Sequence, residues 1–346
     1  MDQGVAQLAE VIAADLASWT TPPYVELAIY GSADARAIAG EIDRFCRDEL
    51  GGGVARGLFH TSSIGAVTAV ELGDGRRVVV KAHQPERELA WLQEIVRTQM
   101  HLASRGLYAT TVCGGPAPIG RGLGIVEAFV ERGATRDAHE PEVRAALATG
   151  LHEIVVACAP LVAGSLLRAQ LLSVLELETL WPTPHSKLFD FEATARGAEW
   201  IDDVARAARA RMHPAGEIVI GHGDWRAEHV RFESDRIVAA FDWDSLCKER
   251  EPALAGHTAH AFCADWSRKP PAPAPTIDEG RAFVADYEAA RGRAFDVDER
   301  RLCGAAFAYS CAYTARCGWS GGSDERGQPG TFQHLVASHG PTLTEL

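Results

Sequence analysis

Apolar positions follow two different periods along this chain. Over residues 5–18, "VAQLAEVIAADLAS", and 34–48, "DARAIAGEIDRFCRD", they recur at three- and four-residue spacing, which predicts helices. Asp34 stands where an N-cap would accept the first unpaired amides, and Gly51-Gly52-Gly53 closes this helical preface. The period then shortens. "AVTAVEL" and "RRVVVKA" flank "GDG", and with "GLFHTSS" upstream they predict strand, turn, strand, turn, strand. A helix is expected from Pro85 to Ser104, ended by Gly106, then a Pro/Gly-rich loop, "CGGPAPIGRG", and an apolar strand, "LGIVEAFV".

From about residue 140 helical spacing dominates, in "PEVRAALATGLHEIVVACA", "AGSLLRAQLLSVLELETL", "GAEWIDDVARAARARM", "DEGRAFVADYEAARG" and "ERRLCGAAFAYSCAYTARCGW". One interruption holds three short apolar strands, "EIVIG", "HVRFE" and "RIVAAFDW". Residues 268–276, "RKPPAPAPT", read as a rigid loop. The order predicts a bilobal α+β protein. A helical preface fills residues 1–50, a small strand-rich N-lobe 51–128, and a larger, mainly helical C-lobe 129–346.

Composition narrows the function. Hydrophobic residues at 47% and charged residues at 23% describe a folded chain rather than a disordered one. A net charge of −13 argues against nucleic acid and anionic membranes as partners, since both need a basic face. The eight cysteines contain no C-x-x-C pair and sit mostly in apolar surroundings, as buried reduced thiols do. The N-terminus lacks the order of a signal peptide, and even "LHEIVVACAPLVAGSLL" carries His152, Glu153 and Pro160. A soluble cytoplasmic protein is expected.

The chemistry concentrates in "GHGDWRAEH", residues 221–229, and in "FDWD" after the next hairpin. Asp224 and Asp242 lie eighteen residues apart and are expected at the same end of adjacent strands. One carboxylate there can accept a hydroxyl proton, while the other holds a hard divalent cation against phosphate oxygens. Lys81 ends an apolar strand, where an ammonium must snorkel or meet an anion. The turn after "FHTSSIGAV" begins, with Ser62 and Ser63, can offer backbone amides to phosphate. Neither G-x-G-x-x-G nor a P-loop is present.

In this order the features resemble the aminoglycoside phosphotransferase and choline kinase group, which has the protein-kinase-like fold. The resemblance runs over roughly residues 55–320, and its most specific pieces are "HGDWRAEH" and "FDWD". It implies an ATP- or GTP-dependent transfer of phosphate to a hydroxyl of an aminoglycoside-like, sugar or amino-alcohol acceptor, with Mg2+. Asp224 matches the catalytic aspartate, Asp242 the metal ligand and Lys81 the phosphate-binding lysine. Glu94, or else Glu88, matches the helix glutamate that pairs with that lysine, and the backbone from Glu127 to Phe129 matches the adenine-binding hinge. His222 is implied to support the loop. Gly223 replaces the arginine that reads a phosphorylated loop in regulated protein kinases, which favours a small-molecule kinase. Arg226 is implied to neutralise transferring charge, or to pair with Glu228.

One position departs from the family. His229 stands where a magnesium-binding asparagine is expected, and imidazole is a softer ligand. His229 ligates anyway, or orients Asp242, or marks weakened activity. Asp244, two residues after Asp242 and expected on the same side of a short strand, is a candidate to supply the missing oxygen. Two other readings compete: a pseudokinase-like nucleotide-binding protein, and a metal hydrolase built on His222, Asp224 and His229.

Overall fold

Residues 3–266 and 273–346 are described by a computed structural model. Residues 268–272 of the proline-rich run lie outside the described residues. The chain divides into two units, 1–103 with 110–131, and 104–109 with 132–346.

The first unit is a five-stranded antiparallel sheet with helices on it. Helices α1 (Gln3–Ser18), α2 (Tyr24–Tyr30) and α3 (Ala35–Leu50) come first. Asp34 caps α3 as expected, accepting the Ala37 amide at 2.8 Å, and Gly51 ends it in the left-handed conformation. α2 carries no sequence signal of its own. It is seven residues long, rich in strand-favouring side chains, and framed by Pro23 and Gly31. Strands β1 (Val54–Ser62), β2 (Ala66–Leu72) and β3 (Arg77–His83) follow, then α4 (Leu89–Ser104), β4 (Val112–Ile119) and β5 (Gly122–Ala128). The sheet order is β1-β2-β3-β5-β4. The preface is therefore part of this unit's core: Leu8, Ile12, Ile29, Ile38, Ile42 and Phe45 bury themselves with Val70, Val80 and Val126.

Two expectations change here. α4 starts at Leu89 rather than Pro85, because residues 84–87 close a turn through the Arg87 amide and the Gln84 carbonyl. The Pro/Gly-rich stretch is β4, not a loop. It lies at the sheet edge with two register shifts, where a strand tolerates missing donors.

The second unit is mainly helical: α5 (Pro141–Cys158), α6 (Glu199–Arg211), α7 (Glu251–Ala261), α8 (Ile277–Arg291), α9 (Val297–Ser320) and α10 (Phe332–His339). Residues Pro141–Gly164 are long and apolar enough to cross a membrane by length and composition, contrary to the expectation. In the fold Leu147, Leu151 and Ile154 of that stretch are buried, and Arg144 reaches Asp286 of α8 at 2.8 Å. Residues 163–180 are not the expected helix but loop and short 3-10 turns. Two of their amides are taken by a distant partner: Leu171 and Leu172 donate to Glu249 Oε2 at 2.9 and 3.0 Å.

Four short strands carry the loops of interest. β6 (Ile218–His222) pairs with β9 (Leu246–Arg250), and β7 (Val230–Glu233) pairs with β8 (Arg236–Ala240). β9 was not anticipated.

Candidate active site

In the second unit everything turns on His222. Its ring is fully buried, with Trp225 and Trp243 edge-on at 5.5 and 5.2 Å. Nε2 lies 2.9 Å from the Phe241 carbonyl, which only accepts, so Nε2 carries the hydrogen. Nδ1 then accepts the Asp224 amide at 3.2 Å. Burial drives the His222 pKa down, despite the nearby Asp242 carboxylate, and keeps the ring neutral. His222 thus ties the residue before Asp242 to Asp224 itself. With both nitrogens engaged and the ring enclosed, it is no metal ligand, and the hydrolase reading loses one of its three residues.

Two backbone bonds complete the bracket: Gly223 donates to the Ser245 carbonyl at 2.8 Å, and Phe241 to the His229 carbonyl at 2.9 Å. These links bring Asp224 and Asp242 together, whereas the expected pairing of adjacent strands is absent: Asp224 follows β6, Asp242 follows β8, and β6 pairs with β9. Gly223 is needed sterically, since a Cβ there would stand 2.9 Å from the Ser245 carbonyl oxygen.

Two tryptophans without a role in the sequence analysis anchor the loops through their indole N–H groups. Trp225 donates from Nε1 to Leu147 of α5, and Trp243 to Ala240, each at 2.8 Å. The available signal was that a tryptophan directly follows each of the two candidate aspartates.

Arg226 meets Asp224 Oδ1 at 2.6 Å and Glu228 Oε2 at 3.3 Å, so both partners considered for it are present. Burial pushes the Asp224 carboxyl up, but the Arg226 guanidinium prevails and holds it below the usual aspartate value. His229 donates from Nδ1 to the Asp224 carbonyl at 3.0 Å and accepts Arg226 at Nε2 at 3.1 Å.

Asp242 takes the left-handed conformation, φ 63° and ψ 40°, and accepts the Ser245 hydroxyl at 2.9 Å. Ligand atoms of Asp224, His229 and Asp242 lie within 4.8 Å of one another. Asp244 does not join them among the described residues. The reason is local: Asp244 sits in a 3-10 turn, Trp243–Ser245, not on a strand, so the two-residue period that would align it with Asp242 does not apply. The donor set still suits a hard cation, which takes one or two carboxylates and keeps water and phosphate as further ligands.

Trp181, His185, Asp190 and Trp319, candidates by polarity and aromatic character to line an acceptor pocket, are spread over this unit. Trp181 packs among Phe191, Tyr309 and Tyr313; Asp190 caps a turn at Ala193; Trp319 packs on Trp200. Only His185 of these four registers the charge of Asp224, which opposes the lowering of its pKa by burial.

In the first unit, Lys81 is buried on β3, with Nζ 3.4 Å from Glu127 Oε1 on β5. The Glu127 carboxylate also accepts Gln99 at 3.1 Å and Thr110 at 2.9 Å. Glu127 therefore faces inward as a counter-ion for Lys81. Of the two helix candidates, Glu94 is buried and receives Arg97, while Glu88 is exposed and precedes α4. The hinge expectation also shifts. The amides of Ala128 and Phe129 already donate to Thr111 and Arg77. An adenine ring would have to find its donor elsewhere.

The Ser62–Ser63 turn is held from below by α2. Tyr24 donates its hydroxyl to the Ser63 carbonyl at 2.8 Å, and the Ser63 amide donates to Gly65. The Ser62 side chain is hydrogen-bonded to Glu26.

The model of the phosphotransferase enzyme family matches residues 63–302. The chain belongs to that family and is a small-molecule phosphotransferase with the protein-kinase-like fold. Solved structures agree on the fold. The amicoumacin kinase hAmiN, in complex with AMP-PNP, Ca2+ and Ami, aligns at a TM-score of 0.54 and 11% identity, over 84% of this chain and 88% of its own. Spectinomycin phosphotransferase, in complex with ADP and its antibiotic, aligns at 0.54 and 11%, over 86% and 97%. An aminoglycoside phosphotransferase from Alicyclobacillus acidocaldarius aligns at 0.52 and 12%, over 84% and 90%. No curated protein matches the chain by sequence.

Proposed function

We propose that the chain moves the γ-phosphate of ATP or GTP to a hydroxyl of a small polar acceptor: an aminoglycoside-like antibiotic, a sugar or an amino alcohol. The acceptor oxygen bonds to the γ-phosphorus as the bond to the β–γ bridging oxygen breaks. The nucleoside diphosphate leaves, and the hydroxyl proton passes to Asp224. The observation that carries this reading is the bracket around His222, which sets an ionised Asp224 beside Asp242. A carboxylate held below its usual pKa is a weak base. Asp224 therefore acts chiefly by orienting the hydroxyl, and takes the proton late.

Asp242 is proposed as the main ligand of Mg2+, with Asp224 and His229 next to it; the ion would neutralise charge on the transferring phosphate. Arg226 is proposed to add positive charge beside the transferring group. In the first unit Lys81 is proposed to meet the nucleotide phosphates and the Ser63 turn to contact them, with residues 1–50 as support, 51–128 for nucleotide and 129–346 for catalysis. The net charge of −13 favours a cationic acceptor. An ATP or GTP donor favours a cytoplasmic location for the reaction.

The test is a phosphoryl-transfer screen over hydroxyl-bearing compounds with Mg2+–ATP and Mg2+–GTP. Asp224→Asn is expected to abolish turnover, and undiminished turnover in that variant would refute the assignment. One observation favours a second reading, a nucleotide-binding protein of weak activity: both ring nitrogens of His229 are engaged, by Asp224 and Arg226. Thermal stabilisation by nucleotide, with no transfer to any compound, would support it.

A further inference from the structure

Gly223 is the residue before Asp224, and its steric need for a missing side chain has a cost. A glycine leaves the backbone next to the carboxylate without the restraint a Cβ provides. The peptide bond joining Gly223 to Asp224 is nevertheless gripped at both of its polar groups. The Asp224 amide donates to His222 Nδ1 at 3.2 Å, and the Gly223 carbonyl lies 2.9 Å from His257 Nε2 on α7. In a trans peptide these groups point in opposite directions, so two imidazoles hold one peptide plane from two sides.

The second ring is itself held. A carbonyl only accepts, so His257 Nε2 carries the hydrogen. In the neutral ring Nδ1 is then an acceptor, and Ser310 of α9 supplies a hydroxyl 2.7 Å away. The chain of contacts runs from α9 through α7 to the peptide that carries Asp224. Rocking of that plane would swing the carboxylate away from Arg226 and from the Asp224 carbonyl's bond to His229.

We propose that His257, set by Ser310, is a positioning residue for the transfer reaction: it supplies through the Gly223 carbonyl the rigidity that glycine lacks beside Asp224. The proposal rests on Asp224 being the residue that orients the accepting oxygen. His257 touches neither nucleotide nor acceptor in this role, so its loss acts on turnover rather than on binding.

The experiment uses the full chain with Mg2+–ATP and water as the acceptor, read as ADP formation. His257→Phe fills the space but removes the donor. Its kcat is expected to fall roughly tenfold to a hundredfold, the scale of a small misplacement of a reacting group, with KM for ATP little changed. His257→Gln places an amide N–H near the position of Nε2 and is expected to restore most of the loss. Wild-type turnover in His257→Phe, or a His257→Gln protein as impaired as His257→Phe, overturns the proposal. Should His257→Phe fail to fold, Ser310→Ala keeps the ring and removes the group that sets its tautomer; it is expected to lower kcat, and wild-type turnover there overturns the proposal. Asp224→Asn separates the two readings. If it is inactive while His257→Phe is fully active, only the positioning role fails. If Asp224→Asn turns over normally, both fail.

Discussion

The pair of Lys81 and Glu127 makes a quantitative claim about the first unit. The β3–β5 register sets Val79 opposite Glu127 and Lys81 opposite Ile125. Lys81 shares a face with Val79, so Glu127 lies diagonally across from it, within reach of a long side chain. The charges are 3.4 Å apart, with side chains only 9% and 3% exposed. At an effective dielectric of about 20 the attraction is roughly 5 kcal/mol. Desolvation cancels much of that, but removing one partner of a buried pair costs about 3–5 kcal/mol. Glu127→Gln keeps the shape and an acceptor for Gln99 or Thr110, so the low end, about 3 kcal/mol, is expected. Hydrogen exchange over residues 77–83 and 122–128 reads this locally, and about a hundredfold faster opening is predicted. Lys81→Met leaves Glu127 two neutral donors and is predicted to be milder. The double variant is predicted to be more stable than the sum of the single losses implies. A Glu127→Gln effect below about 1 kcal/mol, as for an exposed pair, or strict additivity in the cycle, would refute the argument.

Acid is predicted to destabilise the second unit from near pH 6.5 downward. Burial lowers the folded pKa of His257 and of His260 from the ordinary 6.5, so the unfolded chain binds more protons in that window. The stability these neutral rings contribute is fully present above the unfolded value and is lost as pH falls through the folded ones. Thermal melts should show it, with a shallower slope in His260→Gln; a melting temperature unchanged from about pH 7.5 to 5.5 would contradict it. Gly256→Ala is predicted to cost about 3 kcal/mol, the upper end for overpacking, because its Cβ would fall 2.0 Å from the Cys303 carbonyl oxygen where α7 crosses α9. An unchanged urea midpoint would count against that close crossing.

Where a segment's own side chains decide its conformation, the sequence was readable. α1, α3, α8 and α9 carry their apolar positions locally, the last three with side-chain caps as well, and the β2–β3 hairpin carries its turn in "GDG". Residues 163–180 have a helical stripe too, yet Glu249, seventy-eight residues from Leu171, claims the amides a helix would need. β4 shows the converse: a Pro/Gly-rich run becomes a strand because β5 supplies a partner. The contact of Lys81 with Glu127 was hidden for the same reason. The family resemblance points to a helix glutamate, Glu94 or Glu88, whereas strand register adds Glu127, and register is invisible until the strands are paired.

The candidate site divides along a different line. Its charged groups, Asp224, Arg226 and Asp242, were legible as a set because they stand in the motifs "HGDWRAEH" and "FDWD" that carry the family resemblance. Its histidines were not, since a histidine's role depends on which partner each nitrogen meets. His222 joins Phe241 to Asp224, His229 joins Asp224 to Arg226, and His257 joins Ser310 to Gly223. Each ring has both nitrogens in use, and each arrangement requires a neutral tautomer. Residues that look like metal ligands in "GHGDWRAEH" therefore serve mostly as rigid two-ended connectors, and the negative charge is left to the two aspartates. That division makes the asparagine-to-histidine departure at position 229 intelligible. An imidazole in that place keeps the bond to the Asp224 backbone through Nδ1 and adds one to Arg226 through Nε2, so the residue holds the loop whether or not it ever meets a cation.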